Sequence, residues 1–434
     1  MSKKSKKKYD VNTIASHSGL NPGENYGIVN PPVYHASTIL SPTMKEYKNR
    51  TNKRYTYGRN STPTSESLEI AIAKIYGSKG SVLAPSGMSA ITNSLMGVLK
   101  YSDHALFPDC VYGSARRFVL EEFPRLNIEY DFYDQRNLLD LEKKLKNNTK
   151  VIYIESPGTY TFEIIDIIKV VKIAKKYSIT TIIDNTWGTA IYFNPFDYGV
   201  DIVCEAITKY IGGHSDVMLG VSVSNNKHLK HIKRWRINSG QCVGPDDVFL
   251  ALRGLRTLPL RLERSFLNSK NVAIFFSKQK EIKNVFHPAL QNHPDHKIWK
   301  RDFKGSSGIF GVEFKKEISE KAVEYFADQC KLFGKGASWG GFESLMTMTD
   351  LESSRSLSSS YIPQGQYLRI YVGIEDIKDL IEDINSSLNK MRIKQLHGAI
   401  FTGRALGEIN GDVRAYEVPF NFHTDLVKAQ KTLP

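Results

Sequence analysis

The chain has 434 residues, is 41% hydrophobic and 24% charged, and carries a formal net charge of +14. At about 150 residues per domain that length predicts two or three domains, and the composition is that of a soluble globular protein. No run of about 18 apolar residues occurs, which argues against a membrane span, and the scattered cysteines (Cys110, Cys204, Cys242, Cys330) form no CxxC pair, which argues against a metal site and fits reduced thiols in a cytoplasm.

The N-terminal MSKKSKKKYD is basic but no apolar stretch follows it, so no signal peptide is expected. Such a tail could touch nucleic acid or anionic lipid. Its lysines are not interleaved with aromatics, so a solvated tail is expected, with neither nucleic acid nor membrane as partner. Residues 1–61 read as an irregular arm with turns at Asn21-Pro22 and Pro31-Pro32. From 62 onward helix-like stretches alternate with apolar runs: SVLA (81–84), HALF (104–107), VIYIES (151–156), TTIID (180–184) and DIVCEAI (201–207). DIIKVVKIAKKY (166–177) is an amphipathic helix between the third and fourth runs. Strands alternating with helices predict an α/β domain with a largely parallel sheet over 62–256.

After Pro259 the strand signals thin out. A Ser-rich loop, SSRSLSSS (353–360), precedes LRIYVGIED (368–376), a strand entering a helix. Ile377, Leu380, Ile381, Ile384, Leu388 and Met391 share one face of that helix. A smaller α+β domain is expected over 257–393, with 394–434 an extension of undecided role.

The chemistry is expected at the carboxyl ends of the parallel strands, where α/β sheets bind ligands. TTIID ends in Asp184, and DIVCEAI runs into Thr208-Lys209. SVLA runs into PSGMSA, a small-residue turn opening a helix, whose free N–H groups make an anion cup; Gly87 permits close approach, with Ser86 and Met88 beside it. Each piece alone is common, since a strand-end lysine is usually surface charge and an aspartate usually a cap. Together they suit pyridoxal phosphate: a lysine to form the imine, a carboxylate to keep the ring nitrogen protonated, a cup for the phosphate.

EAITKYIGGHSDVMLG (205–220) resembles the cofactor-lysine signature of the Cys/Met-metabolism pyridoxal-phosphate enzymes. The likeness runs from about 10 to 393 through NPPVYHAST (30–38), YGRNSTPT (57–64), APSGMSAI (84–91), DCVYG (109–113), IIDNTWGT (182–189), RGLRTLPLRL (253–262), FHPAL (286–290), WKRDFKGSSGIF (299–310), SWGGFESL (338–345) and LRIYVGIED. The resemblance implies fold type I, the aspartate-aminotransferase-like fold, with a large parallel-rich sheet domain and a smaller α+β C-terminal domain. It implies Lys209 as Schiff-base lysine and acid/base, Asp184 on the pyridine nitrogen, Gly87, Met88 and Thr208 on the phosphate, and Tyr112 stacked on the ring. It further implies that Tyr57 and Arg59 reach the phosphate of a neighbouring subunit, in a homotetramer built as a dimer of dimers. Arg369 would clamp the substrate α-carboxylate, and Ser338, Trp339 and Tyr57 would line the substrate pocket.

Three stretches are similar to the bacterial cystathionine β-lyase branch: ESPGTYTFEI (155–164), the tryptophan of SWGGFESL, and TPT in YGRNSTPT. They imply β-elimination of L-cystathionine to homocysteine, pyruvate and ammonia, with cysteine cleavage or amino-acid racemisation as side activities. The γ-lyases, γ-synthases and methionine γ-lyases of the same family are the alternative. Related β-lyases commonly carry a second arginine after YGR, for the distal carboxylate of cystathionine; here Asn60 stands there. A non-catalytic relative would be expected to lack the lysine, the aspartate or the arginine clamp, and all three are present. His214 is expected as a turn histidine, and Arg253, Arg256, Arg261 and Arg264 in surface or interface roles.

Overall fold

The computed structural model describes residues 9–225, 227–401, 404–409 and 412–417. The Lys-rich start (1–8) and most of the expected extension beyond 401 lie outside the described residues; within the extension, Arg404–Ile409 and Asp412–Glu417 pair as an antiparallel ladder. Among the described residues no helix is long and apolar enough to cross a membrane.

The larger sheet has seven strands: β1 (Gly80–Ala84), β2 (His104–Pro108), β3 (Glu129–Tyr133), β4 (Thr149–Glu155), β5 (Thr180–Asp184), β6 (Ile202–Glu205) and β7 (Gly220–Ser224), in the order β1-β7-β6-β5-β4-β2-β3. Helices cover both faces, so its central strands are buried on both sides and read as continuous apolar runs rather than alternating ones. Leu83, Leu106, Ile152, Ile154 and Ile183 join one core and Val82, Phe107, Tyr153, Ile182 and Ile202 another. β7 runs antiparallel to both neighbours. Its connection from β6 carries the Thr208-Lys209 turn and a Gly212-Gly213 reversal instead of a crossover helix, so the chain comes straight back. Neither β3 (EYDFY) nor β7 (GVSVS) stands out as an apolar run.

A second sheet, β10-β11-β12-β9-β8, holds β8 (Ile282–Phe286), β9 (Ile309–Phe314), β10 (Phe333–Gly334), β11 (Ser344–Met348) and β12 (Tyr367–Tyr371). The sequence signal thinned here because these strands are short and mix polar with apolar positions, yet five form. Leu380, Ile384, Leu388 and Met391 of the helix Ile377–Phe401 are fully buried beside this sheet's core, as the periodicity predicts.

The arm is less irregular than expected. Val11–His17 is a helix capped by Asp10, whose carboxylate accepts the Asn12 N–H at 3.1 Å. Its Ala15 is fully buried, and Arg256 donates to the carbonyls of Ala15 (2.8 Å) and Ser18 (2.7 Å). Arg261, expected at a surface or interface, is buried instead, and burial pushes its guanidinium down to about 10. It donates to the carbonyls of Tyr210 (2.8 Å) and Gly254 (2.7 Å), bracing the chain just after Lys209. A Cβ on Gly254 would lie 2.3 Å from the carbonyl oxygens of Ile211 and Gly212, so glycine lets the helix Pro245–Arg256 close on the same turn. The RGLRTLPLRL motif thus holds the lysine turn from behind.

Candidate active site

β4, β5 and β6 end side by side, with Glu155 in register with Asp184, and Asp184 with Cys204 just before the exit of β6. Asp184 Oδ1 accepts both the N–H (2.9 Å) and the hydroxyl (2.6 Å) of Thr186. The same Thr186 hydroxyl oxygen accepts the Ala206 N–H at 2.9 Å, tying the β6 exit to Asp184. Burial raises the Asp184 carboxyl, while the Thr186 bonds and the charge of Lys209 pull it back.

Lys209 sits in the turn after β6, its main chain fixed by Lys209 N–H to Ala206 O (3.1 Å) and Gly213 N–H to Lys209 O (2.8 Å). Its Nζ donates to Ser338 Oγ at 2.6 Å and lies 5.5 Å from the Trp339 ring centroid, a cation–π distance. Burial, with help from the Arg369 charge and against that of Asp184, pushes the amine down to about 8. Ser338 has φ 102, a left-handed backbone that a serine adopts only under constraint. The constraint is next door: a Cβ on Gly340 (φ 87) would lie 2.9 Å from Lys209 Cα, so the SWGG loop packs against the lysine main chain.

The cup also forms. Ser86 caps the helix Gly87–Met96 by accepting the Ser89 N–H at 3.0 Å, so the N–H groups of Gly87 and Met88 have no acceptor within the helix. A Cβ on Gly87 would come within 2.6 Å of Ala206 Cβ, which explains the glycine. Thr208 is beside it, but its hydroxyl is already engaged, accepting from Leu219 N–H and donating to Leu219 O, both at 3.0 Å.

Tyr112 precedes the helix Gly113–Glu122 as its cap and is 44% exposed. Arg369 rises from β12 opposite Gly311. Its guanidinium makes no hydrogen bond to any described residue, and burial lowers its pKa, opposed by the nearby Tyr160, Tyr367 and Tyr112 hydroxyls. A largely enclosed cation without a protein acceptor is poised for an anion.

Tyr57 and Arg59 are not brought to this cluster within one chain. Tyr57 is 45% exposed and pairs with Thr38, and Arg59 donates to Ile237 O at 2.7 Å. Arg236 donates in turn to the carbonyls of Asn60 (2.8 Å) and Arg59 (3.3 Å). His214 is a turn histidine, Nδ1 bonded to Gly212 O at 2.8 Å. Sequence reasoning missed Glu155, quoted only within a motif. It also missed Asp109, whose carboxylate accepts from Arg116, Ser356 N–H, Leu357 N–H and the Ser360 hydroxyl, pinning the Ser-rich loop to the cleft wall. Its place in DCVYG, three residues before Tyr112, was the signal in the sequence.

A two-sided α/β sheet, a depressed lysine, an aspartate and an anion cup at its strand ends fit pyridoxal phosphate, and the fold is that of a fold type I pyridoxal-phosphate enzyme. Residues 12–389 match the Cys/Met metabolism PLP-dependent enzymes, and the chain belongs to that family. An L-alanine/L-glutamate racemase of Wolbachia pipientis wMel is 40% identical over 84% of this chain and 93% of its own. The cystathionine beta-lyase of Haemophilus influenzae is 34% identical over 88% of this chain and 99% of its own. The crystal structure of cystathionine gamma synthase from Xanthomonas oryzae pv. oryzae, in complex with aminoacrylate and cysteine, matches with a TM-score of 0.83 at 30% identity, over 89% of this chain and 99% of that one.

Proposed function

We propose that the chain is a cystathionine β-lyase, cleaving the Cβ–S bond of L-cystathionine to give homocysteine, pyruvate and ammonia for methionine biosynthesis. The observation that carries the reading is the pairing of Lys209, its amine pushed down to about 8, with Arg369, a guanidinium hydrogen-bonded to none of the described residues. Pyridoxal phosphate, when bound, supplies an electron-accepting ring that makes the substrate Cα proton acidic.

The chain's own residues do the rest. Gly87 and Met88 offer N–H groups to the phosphate, with Thr208 alongside. Asp184 would keep the ring nitrogen protonated, and Tyr112 would stack on the ring. Arg369 orients the substrate by its α-carboxylate, with Trp339 lining the pocket. Ser338 aims the Lys209 amine, which, neutral, takes the proton from Cα and then delivers it to the departing sulfur. Tyr57 and Arg59 serve the phosphate of a neighbouring subunit in a homotetramer, and Tyr57 also lines that subunit's substrate pocket. Exposed Tyr26, Ile28, Val29, Leu40 and Met44 give the arm the apolar surface such an assembly buries. On this reading 62–256 carries the cofactor, 257–393 the carboxylate clamp, and the enzyme works in the cytoplasm.

Product analysis on L-cystathionine tests the proposal: pyruvate with homocysteine supports it, whereas 2-oxobutyrate with cysteine would make the enzyme γ-cleaving. A second reading, racemisation, is favoured by the likeness to the Wolbachia racemase. Lys209 and Tyr112 on opposite ring faces would exchange the Cα proton of L-alanine; unchanged optical rotation over long incubation rules it out.

A further inference from the structure

Asp184 is not the only carboxyl at this sheet edge. Glu155 ends the neighbouring strand in register with it and is itself buried, 8% exposed. Glu155 Oε2 accepts the main-chain N–H of Tyr112 at 2.7 Å, and Oε1 meets the Thr159 hydroxyl. Among the described residues no cation is hydrogen-bonded to it. Its titratable and charged surroundings are Asp184 on β5, Tyr153 on β4, Cys110, Asp109 and Tyr112 after β2, Glu163 beyond the strand end, and Arg355 from the Ser-rich loop.

Two buried carboxyls side by side share one charge between them, because the second ionisation must overcome both desolvation and repulsion. Asp184 has the better claim: two Thr186 donors and the Lys209 charge. Burial, then the Asp184 charge, pushes the Glu155 carboxyl up to about 8. A neutral Glu155 loses neither contact. It still accepts from the Tyr112 N–H, and its own proton can go to the Thr159 oxygen.

We propose that Glu155 is a positioning residue: uncharged, it holds the main chain of Tyr112, and so the ring that covers the cofactor, while leaving the single negative charge of the pair to Asp184. The proposal rests on the reading of the cleft given above. It assigns Glu155 no contact with substrate.

The test uses the loaded enzyme and the visible circular dichroism of its bound cofactor, a signal that depends on the asymmetric packing of Tyr112 and is read whatever substrate is cleaved. Near neutral pH, E155Q should keep the wild-type band and a KM within about twofold, since the amide oxygen still accepts the Tyr112 N–H. E155A should alter the band and raise KM at least about fivefold, having lost that acceptor. As the pH rises through about 8, the wild-type band should change while that of E155Q stays flat. E155Q behaving like E155A would mean that the charge is needed, and overturns the proposal. An E155A enzyme with wild-type band and KM overturns it as well. Should E155A fail to fold, the pH series decides, identical slopes in wild type and E155Q being the contrary result. A wild-type protein that takes up no cofactor at all would instead sink the reading of the cleft, a distinguishable failure.

Discussion

Arg369→Ala removes a largely enclosed cation that has no acceptor among the described residues. If it pairs with the substrate carboxylate, truncation strips a buried, bidentate charge pair, at a cost of about 2–4 kcal/mol. At 1.36 kcal/mol per tenfold, kcat/KM for L-cystathionine should fall roughly 30- to 1,000-fold. Arg369→Lys keeps the charge but not the fork and should lose about tenfold. Because the Arg369 charge helps depress the Lys209 amine, its removal lets that pKa rise from about 8, so the ascending limb of the pH profile, set by the neutral amine, should move to higher pH. The ligand-free R369A protein should be no less stable than wild type, having lost an unpaired buried charge. Steady-state kinetics across pH and a thermal melt measure all three. An R369A enzyme within about threefold of wild-type kcat/KM would refute the carboxylate role, the loss of such a pair being far larger.

Gly87→Ala puts a methyl 2.6 Å from Ala206 Cβ beside the cup, so its affinity for pyridoxal phosphate, measured by absorbance titration, should drop about 5- to 150-fold at ~1–3 kcal/mol for overpacking. Unchanged affinity would mean that the phosphate sits elsewhere. Asn60→Arg should lower KM for L-cystathionine about tenfold by supplying a charge for the distal carboxylate; an unchanged KM removes Asn60 from the account. Asp109→Asn, at a carboxylate 2% exposed and bonded to Arg116 and the Ser-rich loop, should cost about 3 kcal/mol and lower Tm by several degrees in calorimetry. A melt that matches wild type would show that the loop is held by other contacts.

The parallel core and the strand-end groups were legible because burial on both faces leaves unbroken apolar runs, and Asp184 and Lys209 follow two of them directly. β7 was not, since its small alternating residues pack between helices without forming an apolar run. Of the second sheet LRIYV was legible as a strand, and the rest escaped for a related reason: SLMTM and IKNVF carry too few apolar residues to announce a strand, and only tertiary packing selects it. Arg261 read as surface charge because a sequence cannot show that main-chain carbonyls behind a turn need donors. Glu155 was hidden in plain view, because its meaning depends on register with Asp184, a relation between strands some 29 residues apart. The intersubunit roles of Tyr57 and Arg59 rest on the family likeness, since within one chain they pair with Thr38 and Ile237.

The central claim is that Lys209 carries the cofactor. Borohydride reduction of the loaded enzyme, followed by peptide mass mapping, tests it directly. The account predicts a single stable pyridoxyl adduct on the peptide containing Lys209, absent in K209A. An adduct on any other lysine, or one that persists in K209A, would contradict it.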